Sequence, residues 1–125
     1  MTPRTIVLIE DDQDTRDSLE ELLRFEGYEV RAFENGKLAL EGLARGLACQ
    51  LIVLDWRMPQ MAGLDFMAER KRIGGQMADV PVLVFSADAS VQLGTDLLKH
   101  EVLPKPAHAE TLLAVVARLT GAQRE

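Results

Sequence analysis

A chain of 125 residues is long enough for one hydrophobic core and too short for two comfortable ones, so residues 1–125 are expected to form a single domain. A composition of 47% hydrophobic and 27% charged residues, with 5 Pro and 9 Gly, excludes a disordered or fibrous class. The formal charge of −6 argues against nucleic-acid binding by this chain alone, and neither a membrane-spanning run nor an apolar secretion signal in residues 1–5 is present, so a cytoplasmic protein with no membrane partner is expected.

The first element is the β-branched run Thr5–Ile9 (TIVLI), a strand of the kind buried on both faces. The acids Glu10, Asp11 and Asp12 follow it. Asp14 or Thr15 is expected to cap the next helix, with Asp17 in its opening turn and Leu19, Leu22 and Leu23 as its apolar stripe, before a stop at Gly27. Glu29–Phe33 (EVRAF) alternates weakly and reads as an edge strand. Asn35-Gly36 opens a second helix carrying Leu38, Leu40 and Leu43, and Gly46 follows its end.

Leu51–Leu54 (LIVL) is a second central strand, and Asp55 stands at its exit. A third helix is expected over residues 64–73, ending at Gly74-Gly75, and a third central strand over residues 82–85, ending at Ser86. Residues 91–99 make a weak helix because Gly94, Asp88 and Ser90 oppose one there. Val102-Leu103 is a short strand before Pro104, Lys105 and Pro106. The last helix presents Leu112, Leu113, Val115, Val116 and Leu119 before Gly121. Five strands alternating with five helices predict an α/β doubly wound parallel sheet, with right-handed crossovers and helices on both faces.

In such a sheet the loops and ligands gather beyond the strand ends, and four chemical groups fall there: the acidic triplet, Asp55, Ser86 and Lys105. Three adjacent carboxylates splay into water, take up protons or bind a cation. Oxygen ligands favour Mg²⁺ or a similar hard ion, Mn²⁺ included. The bland alternative for the triplet is a solvated acidic loop, and for Asp55 a turn former. An ionised aspartate beside a cation is also a nucleophile toward phosphorus. Lys105 supplies a compact positive charge for a phosphoryl oxygen, and Ser86 a hydroxyl donor. Cys49 has no second cysteine to pair with and reads as a small buried residue. Met58, Met61 and Met67 read as packing residues, and His100 and His108 as exposed.

The segments IVLIEDD, LIVLDWRMPQMAGLDF, VLVFSA and LPKP, in this order over essentially the whole chain, resemble the receiver domain of the two-component response-regulator family. The resemblance implies a flavodoxin-like fold with a five-stranded parallel sheet in the order 2-1-3-4-5. It implies a phosphoryl group passed to Asp55 from a histidine kinase or a histidine phosphotransfer protein, with no classical enzyme activity beyond self-catalysed phosphorylation and dephosphorylation. Mg²⁺ would be held by an acid after the first strand, by Asp55 and by the backbone carbonyl of Arg57. Placing the first acid directly after Ile9 selects Glu10 and Asp11, and puts Arg16 where many receivers carry an arginine; a shift of one selects Asp11 and Asp12. Asp11 is common to both.

Lys105 would contact the acceptor or the phosphate, Ser86 would move toward it, and Lys105-Pro106 would be the family's cis peptide. The aromatic switch residue of many receivers is replaced by Val102, the Phe often found after the Lys-Pro pair is Ala107, and the interval from Ser86 to Lys105 is short. Those departures bear on output rather than on phosphoryl acceptance. They leave open a receiver-like module that binds partners without phosphorylation; a flavodoxin-like electron carrier would want a Ser/Thr/Gly-rich loop where the three acids stand, and an aspartyl-phosphate phosphatase an Asp-x-Asp motif directly after the first strand and a substrate-covering cap, neither of which this sequence offers. The downstream protein target is not legible in these residues, and a homodimer is left open.

Overall fold

Aliphatic and β-branched runs form the strands. In the computed structural model, which describes residues 4–55, 63–75, 78–86, 101–104 and 108–121, they are β1 (Thr5–Ile9), β2 (Glu29–Phe33), β3 (Leu51–Leu54), β4 (Val82–Ser86) and β5 (Glu101–Pro104). All pair in parallel in the order β2-β1-β3-β4-β5. The described helices are α1 (Gln13–Phe25), α2 (Gly36–Ala44), α3 (Gly63–Ile73) and α4 (Ala109–Thr120). The helix expected over residues 91–99 lies outside the described residues.

Because successive strand residues face opposite sides, each strand feeds two cores. Val7, Ile9, Ile52, Leu54, Val82 and Val84 meet Ala39, Leu40 and Leu43 of α2 and Phe66 of α3 on one side. On the other, Ile6, Leu8, Leu51, Val53 and Leu83 meet Leu23 of α1 and Leu112, Val115 and Val116 of α4. Burial of each such aliphatic side chain contributes about 1.5–3 kcal/mol. The central strands β1 and β3 are almost wholly buried, as continuous apolar runs in a doubly covered sheet should be, while β2 and β5 form the edges.

Two local expectations are corrected. The cap of α1 is Asp12, not Asp14 or Thr15: Asp12 is extended (φ −77, ψ 119), and its Oδ2 accepts from the Thr15 amide at 2.9 Å and the Thr15 hydroxyl at 2.6 Å. In α2 the buried face runs through Gly36, Ala39, Leu40 and Leu43, leaving Leu38 exposed. Asn35 does cap that helix, accepting from the Leu38 amide at 2.9 Å. Gly42 allows α2 to lie close to β2, since a Cβ there would stand 3.2 Å from Cζ of Phe33. Gly27, at φ +99, makes the left-handed turn out of α1 that an L side chain resists.

Candidate functional site

Register decides which acids meet. Ile9 of β1 lies opposite Leu54 of β3, so the residues that follow, Glu10 and Asp55, leave the sheet side by side at its C-terminal edge. The ladder holds both: the Asp55 amide donates to the Ile9 carbonyl at 3.0 Å, and the Glu10 amide to the Phe33 carbonyl at 3.1 Å. Adjacent strands run about 4.8 Å apart, so two carboxylates placed this way share one small space. Glu10, Asp11 and Asp55 each offer a carboxylate oxygen, and these oxygens lie within 4.8 Å of one another.

The three differ in environment. Glu10 is only 3% exposed, Asp55 is half-buried and Asp11 is exposed. Buried carboxylates need hydrogen-bond donors, and Oε2 of Glu10 accepts from the Asp12 amide at 3.2 Å. Asp12 stands outside the convergent group, its Oδ2 turned to the cap of α1. Arg16, on α1, points its guanidinium back at this loop: Nη1 donates to the carbonyl oxygens of Glu10 at 3.0 Å and Asp11 at 3.4 Å. Neither those bonds nor the burial of Glu10 was readable from residue type or spacing; the only signal was the placement of Arg16 one turn into the helix.

Three carboxylates from two strand ends form an all-oxygen donor set, which suits a hard divalent cation such as Mg²⁺ or Mn²⁺. Like charges this close repel unless a counter-charge is supplied.

Ser86 is the last residue of β4, one strand from Asp55, with its backbone in register with Pro104 of β5. Val102 pairs with Val84, and its half-buried side chain packs against the core beneath α2 and α3. Lys105, Pro106, Trp56, Arg57 and His100 lie outside the described residues, and so do Met58 and Met61. Met67 packs against the core, and His108 is exposed just before α4. Cys49 is buried near the opposite end of β3, and burial pushes its thiol up to about 11.

Sheet order, doubly covered strands and a cluster of acids at the C-terminal edge that could hold a metal ion define a flavodoxin-like α/β protein. The chain belongs to the response regulator receiver domain family, whose model matches residues 6–117. It is 36% identical over 115 residues to the response regulator MprA of Mycolicibacterium vanbaalenii, which covers 90% of this chain and 48% of that protein. With MprA of Mycobacterium leprae the identity is 37% over 117 residues, covering 91% and 50%. The chain thus spans about half the length of the curated relatives it matches.

Among solved structures it is similar to the chemotaxis response regulator CheY4 of Vibrio cholerae, with a TM-score of 0.82 and 28% identity over 94% of this chain and 99% of that one. The receiver domain of a Pseudomonas aeruginosa sensor histidine kinase, solved with a magnesium ion coordinated in its active site cleft, gives a TM-score of 0.80 at 26% identity, covering 96% and 99%. Among the described residues no helix is long and apolar enough to cross a membrane.

Proposed function

We propose that this receiver domain accepts a phosphoryl group on Asp55, from a histidine kinase or histidine phosphotransfer protein, in a reaction that depends on a divalent cation held by Glu10, Asp11 and Asp55. The observation that carries the proposal is the meeting of those three carboxylates at the ends of β1 and β3. Arg57 would add its backbone carbonyl, as the family's pattern implies. Bound Mg²⁺ would neutralise charge on the carboxylates and on the phosphoryl oxygens.

The chain's own part is to present a nucleophile. One Asp55 oxygen attacks phosphorus, the phosphorus–nitrogen bond to the donor imidazole breaks, and its electron pair returns to the imidazole nitrogen, which takes a proton. The Asp55 amide, tied to Ile9, sets the backbone from which that carboxylate projects. Lys105 would pair with a phosphoryl oxygen, and the Ser86 hydroxyl would donate to another. Because the aspartyl phosphate carries roughly −2 charge where the free carboxylate carried one, and adds phosphoryl oxygens as acceptors, any loop arrangement that brings Lys105 and Ser86 closer gains population.

With Val102 at the position of the usual aromatic switch, the packing change transmitted through β5 would be smaller, and the downstream protein would read chiefly the loops around Asp55.

The test uses Trp56, the only tryptophan of the chain and the neighbour of Asp55. Its fluorescence is titrated with MgCl₂ and then with acetyl phosphate. A saturable Mg²⁺ response followed by a second change, absent in Asp55→Asn, is expected; a second change that persists in that variant overturns the proposal.

A further inference from the structure

The loop from β1 to α1 faces a physical conflict. It must hold Glu10 and Asp11 against Asp55, although their charges push them apart, and it must do so before a cation arrives. A cationic side chain bonded directly to those carboxylates would relieve the repulsion but occupy the oxygens a cation needs. Arg16 is placed differently: its Nη1 donates to the main-chain carbonyls of Glu10 and Asp11, not to their carboxylates.

These two carbonyls belong to the peptide planes linking Glu10 to Asp11 and Asp11 to Asp12. Fixing both planes fixes the directions in which the Glu10 and Asp11 side chains leave the backbone. The Arg16 end is itself anchored, because its amide donates to the Asp12 carbonyl at 2.8 Å in the first turn of α1. Asp12 closes the arrangement from the other side, its amide donating to Oε2 of Glu10 and its carboxylate capping Thr15.

We infer that Arg16 is a positioning residue that pre-sets Glu10 and Asp11 for the divalent cation; this rests on the proposed cation-binding role of the acids. The inference has a sign that a simple charge effect does not share. As a mere positive charge beside the site, Arg16 would repel a divalent cation, and its removal would tighten binding. As a clamp on the peptide planes, its removal loosens the acids and weakens binding despite the lost repulsion.

The experiment measures Mg²⁺ dissociation constants by titration calorimetry, with no phosphodonor present, for the whole chain and for Arg16→Met, Arg16→Lys and Asp11→Asn. Groups that orient metal ligands typically contribute about tenfold or more to affinity, so Arg16→Met is expected to raise the constant about tenfold. Arg16→Lys retains the charge and loses the planar fork, and is expected to fall between the two. The Mg²⁺ concentration that gives half-maximal phosphorylation by acetyl phosphate should rise in the same order as the dissociation constants.

An unchanged or lower dissociation constant in Arg16→Met overturns the inference, and if that variant does not fold, a wild-type constant in Arg16→Lys does the same. Failure of the underlying reading looks different: Asp11→Asn would then bind Mg²⁺ as the wild type does, or the wild type would not bind it at all.

Discussion

Replacing Asp11 by asparagine should stabilise the cation-free protein while weakening its response to magnesium. Asp11 has carboxylate neighbours at Glu10 and Asp55 within 4.8 Å. Two unit charges at that separation repel by about 0.9 kcal/mol in a water-like dielectric and by about 3.5 kcal/mol at an effective dielectric near 20. Asp11 is exposed, so the lower figure applies; Glu10 stays its chain neighbour when the protein unfolds, so the gain comes from the pair that folding creates, Asp11 with Asp55, and amounts to about 1 kcal/mol. For a domain of this size that corresponds to a rise of about 4 °C in the thermal midpoint at low ionic strength, and added salt should shrink it.

Magnesium reverses the order. At a concentration one hundred times its dissociation constant, a ligand stabilises the folded state by about 2.7 kcal/mol, so wild-type protein should gain about 10 °C. Asp11→Asn, lacking one ligand, should gain much less at the same concentration. The assay is a melt followed by circular dichroism, with chelator and then with MgCl₂. A variant midpoint at or below the wild type in chelator, combined with an undiminished magnesium shift, would refute the reasoning.

Asp12→Ala should lower stability by about 1 kcal/mol, the usual cost of losing a helix cap, and yet leave phosphorylation at saturating Mg²⁺ close to wild type; a melt paired with a phosphorylation time course separates the two effects. Cys49 offers a pH test. Its thiol is held near 11 in the folded chain against an ordinary 9.0, so the folded state favours the neutral thiol. That contribution is fully present below pH 9, falls as the unfolded thiol ionises, and is lost by about pH 11, a change of up to about 3 kcal/mol. Urea melts should therefore lose more stability across that range for wild type than for Cys49→Ala, whose decline is expected to be shallower. Equal slopes would contradict the burial argument.

Much of the fold was legible because its strands are apolar runs with few other readings. TIVLI, LIVL and VLVF can be covered only by helices on both faces, and the weaker EVRAF and the short Val102-Leu103 pair fell naturally at the edges. Local competition was harder to read. Asp12, Asp14 and Thr15 are all good caps, and only the extended backbone at Asp12 separates them. Leu38 joined the apolar count of α2, but the short residues Gly36 and Ala39 define the buried stripe, which turns Leu38 outward.

The site shows the same division. Asp55 and the acidic triplet stood out as charges placed straight after buried runs. Which of the three acids face Asp55 depends on the pairing of Ile9 with Leu54, a relation between strands separated by more than one helix. The carbonyl bonds of Arg16 were invisible for a related reason: a guanidinium near three carboxylates is ordinarily expected to pair with the carboxylates themselves.

Peptide mapping by mass spectrometry after brief exposure to acetyl phosphate and MgCl₂ addresses the central claim most directly. The account predicts one phosphoryl group, located on Asp55, formed only with the divalent cation and missing from Asp55→Asn. An unmodified wild-type chain under those conditions, or a phosphoryl group found on another residue with Asp55 intact, would contradict it.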